Sequence, residues 1–422
     1  MPEQSRKKED YLDLGRNFYE NHYKAEAGKA ERAIEDVSGT PQDKASYKLK
    51  EFLQNNVWGW IKHYFKSRFG KKYPYKTYDN KTDNGIYGID NGNVEIICAA
   101  DWASDTPEAD RIGRRIASHK PEYTIHLGDT YFVGAYFEIE NNFLSPTASW
   151  HKGSKGSFAL LGNHEMYSRG KPFFENLLPA LGLRVEGTNG YSGQKAGFFC
   201  LENDHWRVIG IDTGYNSVGK IPIIEKIFPP NCALPPELIE WLKNTLRLKE
   251  DKRGLVFLSH HQYQSAFESE YDKPAEQLAE IIGKDRPVIW IWGHEHRLAL
   301  YGKYQNGEGI TAYGRCIGHG GMPVEIVKEK DKPSRDKVSS RKLVLYDNRY
   351  KETIGGTDVG VNGYVSLKLN NENLTMEYYD AGGRILFEKW KADNTNGQLK
   401  GEEIKVEIDA LDVVQEAENA IK

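Results

Sequence analysis

Short apolar runs alternate with amphipathic windows through the middle of the chain. The runs VEIICAA (94–100), YTIHL (123–127), SFALL (157–161), RVIGI (207–211), GLVFL (254–258) and PVIWIW (287–292) have the length and β-branched content of buried strands. Between them, 107–118, 171–181, 235–248 and 274–283 repeat apolar positions at helical spacing. Continuous apolar strands alternating with helices predict an α/β domain whose sheet is covered on both faces. The stretches 297–304 and 309–315 read instead as antiparallel strands. Residues 363–390, GYVSLKLNNENLTMEYYDAGGRILFEKW, alternate apolar and polar positions around Asn-rich and Gly-Gly turns, which predicts a β-meander.

The ends of the chain follow other patterns. Tyr11, Leu14, Phe18 and Tyr19, then Phe52, Val57, Ile61, Phe65 and Phe69, recur at helical spacing. The sequence thus divides into a helical N-terminal extension (1–92), an α/β domain (93–326), and a C-terminal part (327–422) packing on that domain. Segment 74–93, rich in Asn, Asp, Gly and Tyr, reads as a loop or hairpin entering the domain. The C-terminal part opens with a charged excursion (327–342), continues as the meander, and closes on an acidic tail from 402 that reads as a helix or a fraying end.

Composition narrows the classes. The chain has 422 residues, 39% hydrophobic and 28% charged, an ordinary soluble globular balance. Aromatics at 12% argue against disorder. No apolar run approaches the ~20 residues of a membrane span, and MPEQSRKKEDYLDLG lacks the apolar core of a secretory leader. Cys98, Cys200, Cys232 and Cys316 lie far apart, which favours a reducing compartment, so a cytoplasmic location is expected. A net charge of −4 does not indicate a nucleic-acid binder overall. Locally, 44–76 carries nine Lys or Arg against the single acid Glu51, interleaved with Trp58, Trp60, Tyr64 and Phe69. A packed helix with a solvated basic face is the plainer reading, and a nucleic-acid or membrane contact the sharper one.

The chemistry sits where the apolar runs end. VEIICAA runs into Asp101, YTIHL into Gly128-Asp129, SFALL into Gly162-Asn163-His164-Glu165, GLVFL into Ser259-His260-His261, and PVIWIW into Gly293-His294-Glu295-His296. Ligands of open α/β sheets bind outside the strand carboxyl ends, so these groups converge if the strands share one sheet. Carboxylate, amide and imidazole together suit Zn, Mn, Fe or Ni rather than the oxygen-only preference of Ca. A shared Asp can bridge two cations about 3.5–4 Å apart, a spacing that activates water and clamps phosphate oxygens. There is no GxxxxGK[ST] phosphate loop, GxSxG elbow or HExxH, and no GxGxxG follows a strand.

Asp101, GD at 128–129, GNHE at 162–165, HH at 260–261 and GHEH at 293–296 together resemble the ordered motifs of the calcineurin-like metallophosphoesterase superfamily, over roughly 94–320. The resemblance implies a four-layer α/β/β/α sandwich. It also implies two divalent or trivalent metal ions (Mn, Fe or Zn) and hydrolysis of a phosphate mono- or diester by a metal-bridging hydroxide. Carried over position by position, Asp129 would bridge the metals, Asp101 and His296 would hold the first, and Asn163, His260 and His294 the second. His164 would contact phosphate or protonate the leaving group. His261 and His319 are candidate cleft-lining residues, Tyr167 and Arg169 candidate substrate contacts, and Glu165 and Glu295 candidate partners of the ligands.

One departure stands out. The family's common Asp-x-His is here Asp101-Trp102-Ala103. The purple acid phosphatase-like branch, closest in the first two motifs, also lacks that His but supplies a Tyr three residues after the GD Asp. Phe132 occupies that position here, and Tyr131 precedes it. A weaker first site is expected, completed by water, by Tyr131 turned inward, or by a ligand from elsewhere. Two alternative functions remain at this level: a nuclease or cyclic-nucleotide phosphodiesterase using the basic N-terminal helices, and a catalytically weakened metal-binding interaction protein. The other histidines (His22, His63, His119, His126, His151 and His205) read as structural or surface residues.

Overall fold

The computed structural model describes residues 71–79, 81–218, 230–324, 326–354 and 357–422. The helices expected before residue 71, and most of the basic stretch, lie outside the described residues.

In chain order the first strands are β1 (Ile86–Gly88), β2 (Val94–Ala99), β3 (Tyr123–His126), β4 (Gly156–Ala159), β5 (Gly182–Leu183) and β6 (Phe199–Glu202). There follow β7 (Trp206–Gly210), β8 (Gly254–Ser259), β9 (Val288–Trp292), β10 (Leu298–Gln305), β11 (Thr311–Ile317) and β12 (Leu343–Tyr346). A small hairpin, β13 (Glu352–Ile354) and β14 (Thr357–Val359), leads to the meander β15 (Gly363–Asn370), β16 (Asn373–Asp380), β17 (Arg384–Asp393) and β18 (Gln398–Val406), then β19 (Asp412–Val413).

These strands form two large sheets rather than one. The first has the order β1-β6-β7-β8-β9-β11-β10-β12-β19, the second β18-β17-β16-β15-β2-β3-β4-β5. Strands β7, β8, β9 and β11 run parallel, as do β2, β3 and β4. The two parallel sets therefore present their carboxyl ends from different sheets.

Alternation along each strand explains the layering, since successive side chains point to opposite faces. Ile96 and Cys98 of β2 pack with Val208, Val256 and Ile289 of the other sheet in the central core. Ile97 and Ala99 face outward onto Ile112 and Ile116 of α1 (Pro107–His119). On the far side Phe257 and Trp290 pack against Leu238 and Leu278, from the helices Pro236–Glu240 and Asp272–Ile282. The result is helix, sheet, sheet, helix. Helix α1 starts where Thr106 Oγ1 accepts from Ala109 N at 3.0 Å and Pro107 fills the first position, two ordinary N-terminal devices.

The chain beyond residue 362 builds the second sheet outward, because β15 pairs antiparallel with β2. One buried ion pair ties that extension to the opposite sheet. Arg315 of β11 donates to Glu388 of β17 at 2.7 and 2.6 Å, and neither side chain is exposed.

One local expectation is corrected. The acidic tail is neither helix nor frayed at its start: Gln398–Val406 is strand β18, with Lys389 directly opposite Glu403 and an Arg384–Glu407 ion pair beside it. Opposite charges across neighbouring strands favour that pairing over a helix with clustered acids. Segment 74–93, read as a loop or hairpin, is loop among its described residues apart from β1, which pairs parallel with β6. Among the described residues, no helix is long and apolar enough to cross a membrane.

Candidate metal centre

The carboxyl ends of β2, β3 and β4 meet those of β8 and β9 at one edge of the sandwich, and the motif residues sit there. Three of them, Asp101, Asp129 and His294, hold positive φ of 57°, 70° and 66°. For residues with a Cβ this costs of order 1–3 kcal/mol each unless the surroundings fix it. Here they do. His294 N donates to Asp101 Oδ2 at 2.8 Å, Asp101 N donates to Gly128 O at 3.2 Å, and Asp129 N donates to Glu165 Oε2 at 3.1 Å.

Two motif glycines have a steric reason. A Cβ on Gly162 would stand 2.1 Å from Asp129 Oδ1, and one on Gly293 would stand 2.7 Å from Asp101 Oδ2. Either would push a carboxylate out of place.

Asp129 lies at the centre. Its Oδ1 accepts from His164 N at 2.9 Å, and its Oδ2 is 3.2 Å from His260 Nε2 and 3.6 Å from His164 Nε2. His260 Nδ1 meets Leu127 O at 2.9 Å, which turns Nε2 towards Asp129 and the Asn163 Oδ1, 3.2 Å away. Burial opposes charge on His260, but Asp129 outweighs it and pushes its pKa up to about 9. The same contacts act on Asp129: burial disfavours its charge, yet His164 and His260 hold it well below the usual carboxylate range.

On the other side, Tyr131 points inward. Its hydroxyl donates to Asp101 Oδ1 at 2.6 Å and lies 2.8 Å from His296 Nε2 and 3.4 Å from Asp129 Oδ2. Of the three ways left open for the first site, this geometry matches the inward tyrosine. Phe132, at the position of the family tyrosine, instead uses its carbonyl, 2.5 Å from His164 Nδ1.

Two sets of donor atoms come within 4.8 Å of one another: Asp101, Asp129 and His260, and His260, His261 and His294. The pattern of carboxylate, amide and imidazole fits hard-to-borderline cations. His261 is therefore close to the other candidate ligand atoms. Its ring and backbone N both meet Thr213 Oγ1, at 3.2 and 3.0 Å, and burial with His260 beside it pushes its pKa well down. His319 is placed differently. It is buried, and a Cβ on Gly363, the first residue of β15, would stand 2.6 Å from its Nε2. Its loop reaches Asp101 through the backbone, with Met322 N donating to Asp101 O at 3.0 Å.

Glu165 and Glu138 support the site from behind. Glu165 accepts from the backbone N of Gly162, Asp129 and Thr130 at 2.9, 3.1 and 2.5 Å, which ties the GD turn to the GNHE helix Asn163–Tyr167. Burial, then Asp129, pushes its pKa to about 7. Glu138 does the same for the next turn, accepting from Phe132, Val133 and Ala135 N at 2.5, 3.0 and 2.9 Å. Sequence reasoning missed Glu138, Thr213 and Tyr271, whose ring packs 5.3 Å from His261. No spacing rule marks them, because each meets the site through a fold contact.

The buried aspartates and histidines at the carboxyl edge of this α/β/β/α sandwich are a donor set that could hold metal ions. Residues 94–298 match the family model described as calcineurin-like phosphoesterase, and over that stretch the chain is similar to that family. No curated protein matches the chain. Among solved structures, it is similar to a purple acid phosphatase of yellow lupin (Lupinus luteus), at 14% identity and TM-score 0.39, over 70% of this chain and 53% of that one. It thus spans about half that enzyme's length. It is also similar to GAP50, the anchor in the inner membrane complex of Plasmodium (12% identity, TM-score 0.43, 73% of this chain and 91% of that one covered). A third likeness is to PhoD (11%, TM-score 0.49, 76% and 74% covered).

Proposed function

We propose that the protein hydrolyses a phosphate ester at a two-cation centre on this edge. The observation that carries the reading is the convergence of Asp101, Asn163, His260, His294 and His296 on the edge that holds the buried Asp129. Asp101, His296 and the Tyr131 hydroxyl would hold one cation, and Asn163, His260 and His294 the other, with Asp129 shared and His261 beside the second. When bound, such cations activate a water and neutralise phosphate oxygens. The donor set fits them: Asp129 draws positive charge onto His260, the charge a cation would supply instead.

The chain's own contribution beyond ligation falls to His164. With Nδ1 tied to the Phe132 carbonyl, its Nε2 is the atom on the Asp129 side. As water attacks phosphorus and the P–O bond to the leaving group breaks, His164, protonated on both nitrogens, gives its Nε2 proton to the departing oxygen, and the proton released by the attacking water restores the imidazolium. That role needs an imidazole near its working pH, held by a fixed partner on the other nitrogen.

The test compares 4-nitrophenyl phosphate with its bis-ester, with Mn supplied. Turnover of one or both supports the reading, and the preference tells a monoesterase from a diesterase. Asn163→Ala and His294→Ala are expected to lose cation and activity together. Hydrolysis of neither ester by the cation-loaded protein overturns the enzyme reading in favour of a binding role.

A further inference from the structure

We propose that Tyr167 is a positioning residue: its buried hydroxyl satisfies the amide nitrogen of Asn163 and so keeps the amide oxygen turned to the second cation. This rests on the two-cation reading above and assigns a task to a residue outside its ligand set.

Asn163 and Tyr167 are the first and last residues of a one-turn helix, so they stand four apart on one face. Asn163 Nδ2 donates to the Tyr167 hydroxyl at 3.0 Å, while Asn163 Oδ1 lies 3.2 Å from His260 Nε2. The two ends of the amide are thus assigned opposite duties. A cation accepts only the oxygen, because the NH2 end is a pure donor.

Turning Oδ1 to a cation obliges the NH2 group to find an acceptor on the other side. Asn163 and Tyr167 are each only 5% exposed, which leaves water little access. A buried donor left unmade opposes the conformation that creates it. The phenol oxygen removes that opposition. The Tyr167 ring also meets the His164 imidazole at 5.0 Å in an edge contact. One side chain therefore braces both the amide ligand and the imidazole that follows it. Outer partners of this kind typically change cation affinity by about 10- to 100-fold when removed.

Tyr167→Phe isolates the hydroxyl, since the ring against His164 is kept. Cobalt(II) binding, followed by visible absorption and by chelator competition, reads the site without reference to turnover. The expected result is one binding step weakened about 10- to 100-fold and the other unchanged. A second background sharpens the test. In Asn163→Asp the ligand has no NH2 group to satisfy, so adding Tyr167→Phe is expected to change affinity less than about 3-fold. Equal losses in both backgrounds indicate a general packing role and overturn the proposal. So does parent-like affinity in Tyr167→Phe with only KM raised, which would make Tyr167 a substrate contact. A parent protein that binds no cobalt overturns the two-cation reading and this one with it, whereas a parent that binds beside an unaffected Tyr167→Phe overturns the tyrosine's role alone.

Discussion

The Tyr131 hydroxyl stands 2.6 Å from Asp101 Oδ1 and also touches His296 Nε2 at 2.8 Å, on the side of the centre where the chain has Ala103 instead of histidine. Burial, with Asp101 and Asp129 beside it, pushes the phenol well above its ordinary pKa. A hydroxyl so placed would serve as the missing fourth group of the first site. Tyr131→Phe is expected to lower the bound cation from about two to about one per chain under limiting metal, with the second site retained. Elemental analysis of protein dialysed against a weak chelator checks it; two cations retained would assign the first site's completion to water or another residue.

His164 has a separate signature. His164→Asn keeps every ligand of the proposed centre, so cation content should match the parent while turnover falls about 100-fold or more if proton donation is its task. The loss should be smaller for an ester whose leaving group needs no proton, such as a nitrophenolate. Steady-state rates on an alkyl and a nitrophenyl ester, measured side by side, decide this. Equal losses on both would make His164 a phosphate contact only.

The Arg315–Glu388 pair predicts a stability effect far from the chemistry. Glu388 also accepts from Tyr378 OH at 2.6 Å, and Arg315 reaches the carbonyls of Tyr301 and Ala420 at 2.7 and 2.8 Å. Removing one member leaves a buried charge without its counter-ion, which typically costs about 3–5 kcal/mol. Glu388→Ala should lower the urea midpoint strongly. Arg315→Met with Glu388→Leu should recover much of the loss. If the single variant melts like the parent, the pair does not hold the sheets together.

His126 gives an acid-sensitivity prediction. It is fully buried on β3 between Phe143 and Trp150, and burial pulls its pKa from 6.5 to about 3, with Asp101 and Asp129 partly opposing. A histidine depressed in the folded state is neutral there while the unfolded chain still takes up a proton. Its contribution is therefore complete above pH 6.5 and is lost as pH falls from 6.5 towards 3. His126→Leu should remove part of that slope, so that urea stability between pH 7 and 4.5 falls by less than in the parent, by a few kcal/mol at most. Parallel slopes for the two proteins would sink the assignment.

Much of the fold was legible locally. The runs at 94–100, 123–127, 157–161, 207–211, 254–258 and 287–292 all became strands within a residue or two, because burial on both faces demands unbroken apolar sequence. The helix expected over 107–118 is observed as Pro107–His119 for the same local reasons of period and cap. What the runs could not say was which sheet each joins. Val94–Ala99 and Gly254–Ser259 look alike in sequence, yet they lie in different sheets, since hydrogen-bond partners are chosen across long stretches of chain.

The amino-acid sequence by itself determined the inventory of the site: which carboxylates, amide and imidazoles end the buried strands, and which glycines let those turns close. Only the tertiary structure decided how they meet. It brought Asp129 to 3.2 Å from His260, turned Tyr131 rather than Phe132 into the centre, and set Tyr167 behind Asn163. Spacing along a chain fixes which face of a strand or helix a residue occupies. The direction of a side chain at a strand-end turn depends instead on backbone twist and on partners such as Glu138 and Glu165, which no local pattern announces.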